Sequence, residues 1–253
     1  MTVRARLLGP LEVSVGGHRV EHWNGRKGPL LLAYLLLHRD GPPVPRDALA
    51  VSFWPDAAPD ASRNRLHVTL HTLRTDLQTA SSVPVVLFGE SGYLFNPDLD
   101  ISLDTEQFES TAECGMRAEK DDDVNAAMVA YQSAIVEYRG DLLTDYPYDD
   151  STLLPREHYR VLMLDVLGRV AQLDFDTGHY SASIEAGQRL LALDFCREDV
   201  HRLLMRAYVR VGRPHLAIHQ FEICSRQLRR ELDMAPALET VNLCGQIRAR
   251  SAV

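Results

Sequence analysis

The stretch from Pro59 to Gln78, PDASRNRLHVTLHTLRTDLQ, places Leu66, Leu70, Leu73 and Leu77 at i, i+4, i+7 and i+11, the spacing of one α-helical face. A helix with such a face must bury it, so the segments around it have to supply a small core. At about 100° per residue, the opposite face carries Ala61, Asn64, Val68, His71, Thr72 and Thr75. Arg63, His67 and Arg74 line one flank, and Arg65 and Thr69 the other. Small polar, amide and cationic groups facing outward suit a DNA major groove. They suit a solvated surface helix equally well, and the flanking chain has to decide.

Residues 3–8, 11–15 and 18–22 are short strand-like runs, separated by Gly9-Pro10 and by Gly16-Gly17, a two-residue hairpin signal. Lys27 to His38 is apolar nearly all round, enters through Gly28-Pro29 and stops at Gly41-Pro42-Pro43, which predicts a central helix. Pro45 to Phe53 reads as a second, short helix ended by Trp54-Pro55. Pro59 then opens the third, where its missing N–H costs nothing. Val83 to Phe88 and Tyr93 to Phe95 flank Gly89-Glu90-Ser91-Gly92, a β-hairpin with a glycine-rich tip. Three helices between a small sheet and a hairpin form a winged helix-turn-helix layout, in which the third helix reads the groove and the hairpin touches the flanking backbone.

After Asn96-Pro97-Asp98 the texture changes, and from Thr105 onward there is helix signal almost without strand signal. Gly178-His179-Tyr180 and Gly212-Arg213-Pro214 lie 34 residues apart, and Ile184 meets Ile218 at the same offset. That is the tetratricopeptide period, and such helix pairs bury their apolar faces only by stacking on one another. Asp123 to Tyr138 has a similar cadence, followed by an inserted segment, Gly140 through Leu154. Ala237 to Arg250 reads as the capping helix. The expected fold is mainly α with a small β component. Residues 1–98 form an N-terminal winged helix-turn-helix domain, and residues 99–253 an all-α tetratricopeptide-like superhelical domain.

Net charge is −8. Residues 1–100 hold ten Lys/Arg and ten Asp/Glu, whereas residues 101–253 hold seventeen and twenty-five, so the acidity belongs to the second part. A neutral domain can bind DNA, with weak non-specific attraction. No run of eighteen apolar residues offers a membrane span, and the opening MTVRARLLGPLEV lacks a small-residue cleavage site after an apolar core, so a secretion signal is not expected. Cys114, Cys196, Cys224 and Cys244 are far apart and read as buried reduced thiols. Nucleotide-binding and nucleophile-elbow motifs are missing, so neither an enzyme nor a cofactor is expected. His67 and His71 share a face at i, i+4, but the glutamate and third ligand of a zinc helix are missing, so no metal is expected. Asp121-Asp122-Asp123 reads as acidic loading of a helix start.

Residues spread along nearly the whole chain carry a family resemblance. They are Arg6 to Val13, Leu30 to Leu37 before Gly41, Arg46 to Leu49, Trp54-Pro55-Asp56, and Arg63, Leu66, Leu70, Leu73, Arg74 and Leu77. Further on come Tyr138 to Leu143, Tyr146 to Asp150, Leu190 to Asp194 and Arg197 to Arg206. In order and spacing the chain resembles the actinobacterial antibiotic-regulatory-protein (SARP) family, an OmpR-type winged helix joined to a bacterial transcriptional activator domain. The resemblance implies a cytoplasmic transcriptional activator of a biosynthetic or secondary-metabolite gene cluster. It would bind double-stranded DNA at direct repeats beside a second copy and contact RNA polymerase holoenzyme.

The DNA-contacting set expected on this reading starts with Asn64 for an adenine edge, Val68 for a thymine methyl and Arg63 or Arg65 for guanine or phosphate. His67, His71, Thr72, Arg74 and Thr75 complete the third helix. Arg26, Lys27 and Arg46 are expected on phosphates and Ser91 at the hairpin tip. Two features depart from the family pattern: histidine and threonine stand where arginine is common, and Leu94 follows Gly92-Tyr93 with Glu90 at the tip. They leave a second reading open, a tetratricopeptide interaction or ligand-sensing protein whose winged helix binds protein.

Overall fold

The computed structural model describes residues 1–249; of the expected capping helix, Arg250 lies outside them. Backbone proximity divides the chain into two compact units, Met1–Phe108 with Glu137–Arg160, and Glu109–Val136 with the residues from Val161 onward.

In the first unit, β1 (Thr2–Arg6) pairs antiparallel with β2 (Glu12–Val15), with Val3 opposite Val15 and Ala5 opposite Val13. These four residues are buried on one face, as the strand period of two requires. Gly16 and Gly17 both take positive φ, 58° and 87°, the turn that leads into β3 (His18–Arg19) with the twist a hairpin needs. α1 (Lys27–Leu37), α2 (Arg46–Phe53) and α3 (Pro59–Gln78) follow, then the hairpin β4 (Val86–Phe88) and β5 (Tyr93–Phe95). The expected leucine face holds: Leu66, Leu70, Leu73 and Leu77 are all buried, against an α1 whose Leu30, Leu31, Leu32, Leu35 and Leu36 are buried too. A fourth strand that the sequence did not reveal, β6 (Asp100–Leu103), runs parallel to β1 and completes the sheet order β3-β2-β1-β6.

The inserted segment, Gly140 through Leu154, lies within the 137–160 stretch of this unit. The Leu143 N–H donates to the Leu7 carbonyl at 2.8 Å, Gly9 N–H to Asp141 at 3.1 Å and Thr144 N–H to Gly9 at 3.0 Å. The buried Asp104 carboxylate accepts from the N–H groups of Leu7 and Leu8 at 2.8 and 2.9 Å. Burial pushes its pKa up, while those backbone donors and that of Thr105 pull it back. The Arg156 guanidinium holds the segment together, donating to the carbonyls of Leu142, Tyr146 and Pro147 at 3.0, 2.9 and 2.9 Å and to the Thr152 hydroxyl at 2.8 Å.

The second unit is helical. It contains most of α4 (Asp104–Lys120), α5 (Val124–Glu137), most of α6 (Leu153–Asp176), then α7 (Tyr180–Leu193), α8 (Glu198–Arg210), α9 (Pro214–Leu232) and α10 (Leu238–Arg248). Successive helices from α7 to α10 pack on one another. The 34-residue offset appears as one repeated helix stop: Gly178 and Gly212 take φ of 83° and 74°. After them the His179 N–H reaches the Asp174 carbonyl at 2.7 Å, and Arg213 reaches Tyr208 at 2.8 Å. The α4–α5 turn repeats the device with Asp122 at φ 58° and Asp123 N–H to Ala118 at 2.9 Å. The Asp123 carboxylate then accepts from the Ala126 N–H at 3.0 Å, so the acidic run closes one helix and caps the next. The expectation of four buried thiols needs correction: Cys224 and Cys244 are buried, Cys196 is partly covered and Cys114 is exposed, on the solvent side of α4 beside Arg117. Burial pushes the Cys224 thiol up to about 12.

Tyr93 and Val44 exchange backbone hydrogen bonds of 2.8 and 2.9 Å, tying the hairpin to the loop before α2, and a Cβ on Gly92 would strike the Val44 carbonyl. Gly92→Ala is therefore expected to lower stability by about 1–3 kcal/mol in urea titration. Gly245→Ala, in α10 with open space around it, should instead raise it by about 0.5–1 kcal/mol.

Candidate nucleic-acid interface

Burial of the leucine face decides what α3 shows to solvent. Asn64, Arg65, His67, Val68, His71 and Thr75 are exposed, and Arg63, Thr69, Thr72 and Arg74 are half-buried. Val68, 56% exposed, is an apolar group left in solvent beside an amide and a guanidinium. The Thr72 and Thr75 hydroxyls donate to the carbonyls of Val68 and His71 at 3.0 and 3.1 Å, which spends their protons and leaves their oxygens able to accept.

Beside this face lies an open groove of about 400 Å³. Asn64, Arg65, Val68, Thr69 and Thr72 form one wall, and the chain entering α1, from Asn24 to Gly28, forms the other, with Trp54 between. The entering chain is fixed by the buried Asp76, whose carboxylate accepts from the Asn24 backbone N–H at 2.9 Å and from its side-chain amide at 2.5 Å. Asn24 and Trp54 were not among the expected contacts. A polar residue and a lone tryptophan outside periodic segments carry no mark of where they will fold. The first turn of α1, which lines the groove end, has no acidic residue and no side-chain cap for its N–H groups.

The expected cations are not equally available. Arg63 holds Asp47 through two hydrogen bonds of 2.8 and 3.1 Å, and that bond lowers the Asp47 pKa and raises that of Arg63. Arg74 reaches the Val86 carbonyl of the hairpin at 3.4 Å. Lys27 pairs with Asp149 at 2.8 Å and lies 5.6 Å from the Phe53 ring centre. Arg26 lies 5.7 Å from the Tyr146 ring centre and 3.4 Å from the Asp145 carbonyl. Arg46, at the start of α2, and Ser91, at the hairpin tip, are exposed. Arg65 makes no hydrogen bond or ion pair with another described residue. It lines both the groove and a second cleft of about 290 Å³, shared with Lys27, Trp54, Tyr148 and Asp149. His67 and His71 gain no further ligand, and among the described residues no group of His, Cys, Asp and Glu could hold a metal ion.

A leucine-anchored helix with a polar outer face, framed by a sheet and a hairpin and joined to stacked helix pairs, defines a winged-helix regulator with a tetratricopeptide-like second part. Residues 103–248, more than half of the chain, match the family model of the bacterial transcriptional activator domain, and the chain belongs to that family. It is a SARP-type transcriptional regulator. Over 240 residues it is 27% identical to "Transcriptional regulatory protein MoaR1" of Mycobacterium tuberculosis, covering 93% of this chain and 76% of that protein. The MoaR1 protein of Mycobacterium bovis matches with the same identity and coverage. Among solved structures, Mycobacterium tuberculosis EmbR in complex with a low-affinity phosphopeptide superposes with a TM-score of 0.75 at 23% identity. That match covers 99% of this chain and 66% of that one, just under two thirds, and the likeness is one of fold. No helix among the described residues is long and apolar enough to cross a membrane.

Burial would raise the Asp149 pKa, but the hydrogen bonds from Lys27 and Ser151 and the Lys27 charge outweigh it and hold the carboxyl below its ordinary value. A depressed acid stabilises the fold above its unfolded pKa of about 4 and loses that contribution as pH falls through its folded pKa. Asp149→Asn should therefore lower the thermal midpoint at neutral pH, with the gap to the parent closing below about pH 4. A gap that stayed constant with pH would dissociate the stabilisation from the carboxylate.

Proposed function

We infer that the chain activates transcription by docking α3 in the major groove of a promoter, bound side by side with a second copy and recruiting RNA polymerase holoenzyme. Membership of the activator family supplies the class of function; the α3 surface supports the DNA step. The observation that carries it is the groove wall itself. Asn64, Arg65 and Val68 combine an amide for an adenine edge, a guanidinium with no internal partner and an exposed methyl pair for a thymine methyl. The uncapped start of α1 with Arg26 and Lys27 across the groove suits a phosphate. Regulation of a secondary-metabolite cluster follows from the SARP resemblance alone.

The internal pairings rank the contacts. Arg65 and Asn64 are free to read bases, whereas Arg63 and Arg74 position α3 and serve DNA only after giving up partners. In fluorescence anisotropy with target promoter DNA, Asn64→Ala and Arg65→Ala should each weaken specific binding by about 1–3 kcal/mol, roughly tenfold or more. Arg63→Ala should cost less, and all variants should keep the parental circular-dichroism spectrum. Parental affinity in the Asn64→Ala/Arg65→Ala double variant would remove α3 from the interface. Binding that is insensitive to salt would favour the second reading, in which the winged helix binds protein.

A further inference from the structure

The outer face of the N-terminal sheet carries a cationic cleft that the DNA reading does not use. Val3, Ala5, Val13 and Val15 point into the core, so Arg4, Arg6, Glu12 and Ser14 point out. The register places Ser14 between Arg4 of β1 and Arg19 of β3, and sets Arg6 directly opposite Glu12. Two strand spacings separate Arg4 from Arg19, about 9.6 Å, with only a serine hydroxyl as the floor between them. The result is a cleft of about 280 Å³ lined by Arg4, Arg6, Glu12, Val13, Ser14 and Arg19. Glu12 is already engaged, 3.5 Å from Arg19 and 3.5 Å from Arg139. Arg4 and Arg6 have no carboxylate partner among the described residues. Three guanidinium groups and one carboxylate thus line the cleft, on a chain whose net charge is −8.

We propose that this cleft docks an extended acidic polypeptide segment with carboxylates at alternate positions. An extended chain presents alternate side chains about 6.8 Å apart on one face, the same spacing that separates Arg4 from Arg6 along β1. One carboxylate drops onto Ser14, accepts from its hydroxyl and is flanked by Arg4 and Arg19. The next reaches Arg6, whose planar fork matches a carboxylate with two parallel hydrogen bonds. Glu12, directly opposite Arg6 and already engaged by Arg19 and Arg139, opposes an unbroken run of phosphates and leaves the second carboxylate to the far side of the Arg6 fork. None of the lining residues belongs to α3 or the hairpin, so the contact is independent of the DNA reading and would let a partner protein bind while α3 is occupied.

The test uses the full chain and a fluorescein-labelled Glu-Ser-Glu-Ser-Glu-Ser-Glu peptide, with a Ser-Ser-Ser-Glu-Glu-Glu-Glu isomer of equal charge and a short DNA duplex as comparators, at about 50 mM salt. The alternating peptide should bind saturably, at least fivefold tighter than the isomer. Arg4→Gln/Arg19→Gln should weaken it at least tenfold, and Ser14→Val, which fills the floor with a strand-favouring side chain, should do the same. Both variants should retain the parental thermal transition and promoter affinity. Unsaturated binding by the parent at about 1 mM peptide would overturn the proposal. So would equal affinity for the isomer, or peptide affinity within twofold of the parent in both variants. Loss of duplex binding in Arg4→Gln/Arg19→Gln without loss of peptide binding would overturn it in favour of nucleic acid.

Discussion

Everything displayed by the winged unit depends on the burial of four leucines of α3 against the leucine-rich α1. Each fully buried leucine contributes about 1.5–3 kcal/mol relative to exposure. Rotating α3 by even one residue, about 100°, would trade them for polar groups. Gly28 lies against that contact, where a Cβ would stand at van der Waals distance, 3.7 Å, from the Leu73 side chain. The helix is consequently locked in rotation, and the identity of its outer face follows from the core.

That lock is reinforced by polar ties at both ends of the groove. Asp76, buried on α3, holds Asn24 and with it the chain that enters α1. Asp149, from the inserted segment, holds Lys27 at the other end of the same short loop. The pairings also decide which charges of this unit stay available to a ligand. Arg63 and Lys27 each have a carboxylate of their own, which weakens the long-range pull on any polyanion. Arg65 and the uncapped α1 start remain as local attractors. A surface of that kind favours short-range readout over non-specific attraction.

Much of the winged unit was legible because it is built from local signals. Pro59 at a helix start and four leucines at helical spacing predict α3 with the limits observed, and Gly16-Gly17 marks its turn by the need for two positive φ values. β6 was not legible. Asp100–Leu103 is four residues long, and its partner β1 lies about a hundred residues earlier, joined by parallel pairing that no local turn announces. The inserted segment carries no such signal: backbone hydrogen bonds, the Lys27–Asp149 pair and one arginine whose acceptors are carbonyls and a hydroxyl anchor it, a pattern without a sequence signature. In the helical unit the 34-residue offset was visible at Gly178 and Gly212, where glycine reports the left-handed turn. The equivalent stop at Asp122 was hidden because aspartate, which also tolerates that conformation, looks like charge rather than geometry. On the site, position along α3 was readable and availability was not, since whether an arginine is free depends on where distant carboxylates fold.

Dimethyl sulfate footprinting of the promoter-bound chain tests the docking of α3 most directly, because it reports guanine N7 in the major groove. Protection confined to major-groove guanines on one face of each repeat, and lost when Asn64 and Arg65 are both replaced by alanine, is the predicted result. Bound DNA whose guanines stay fully reactive, or protection unchanged in that variant, would contradict it.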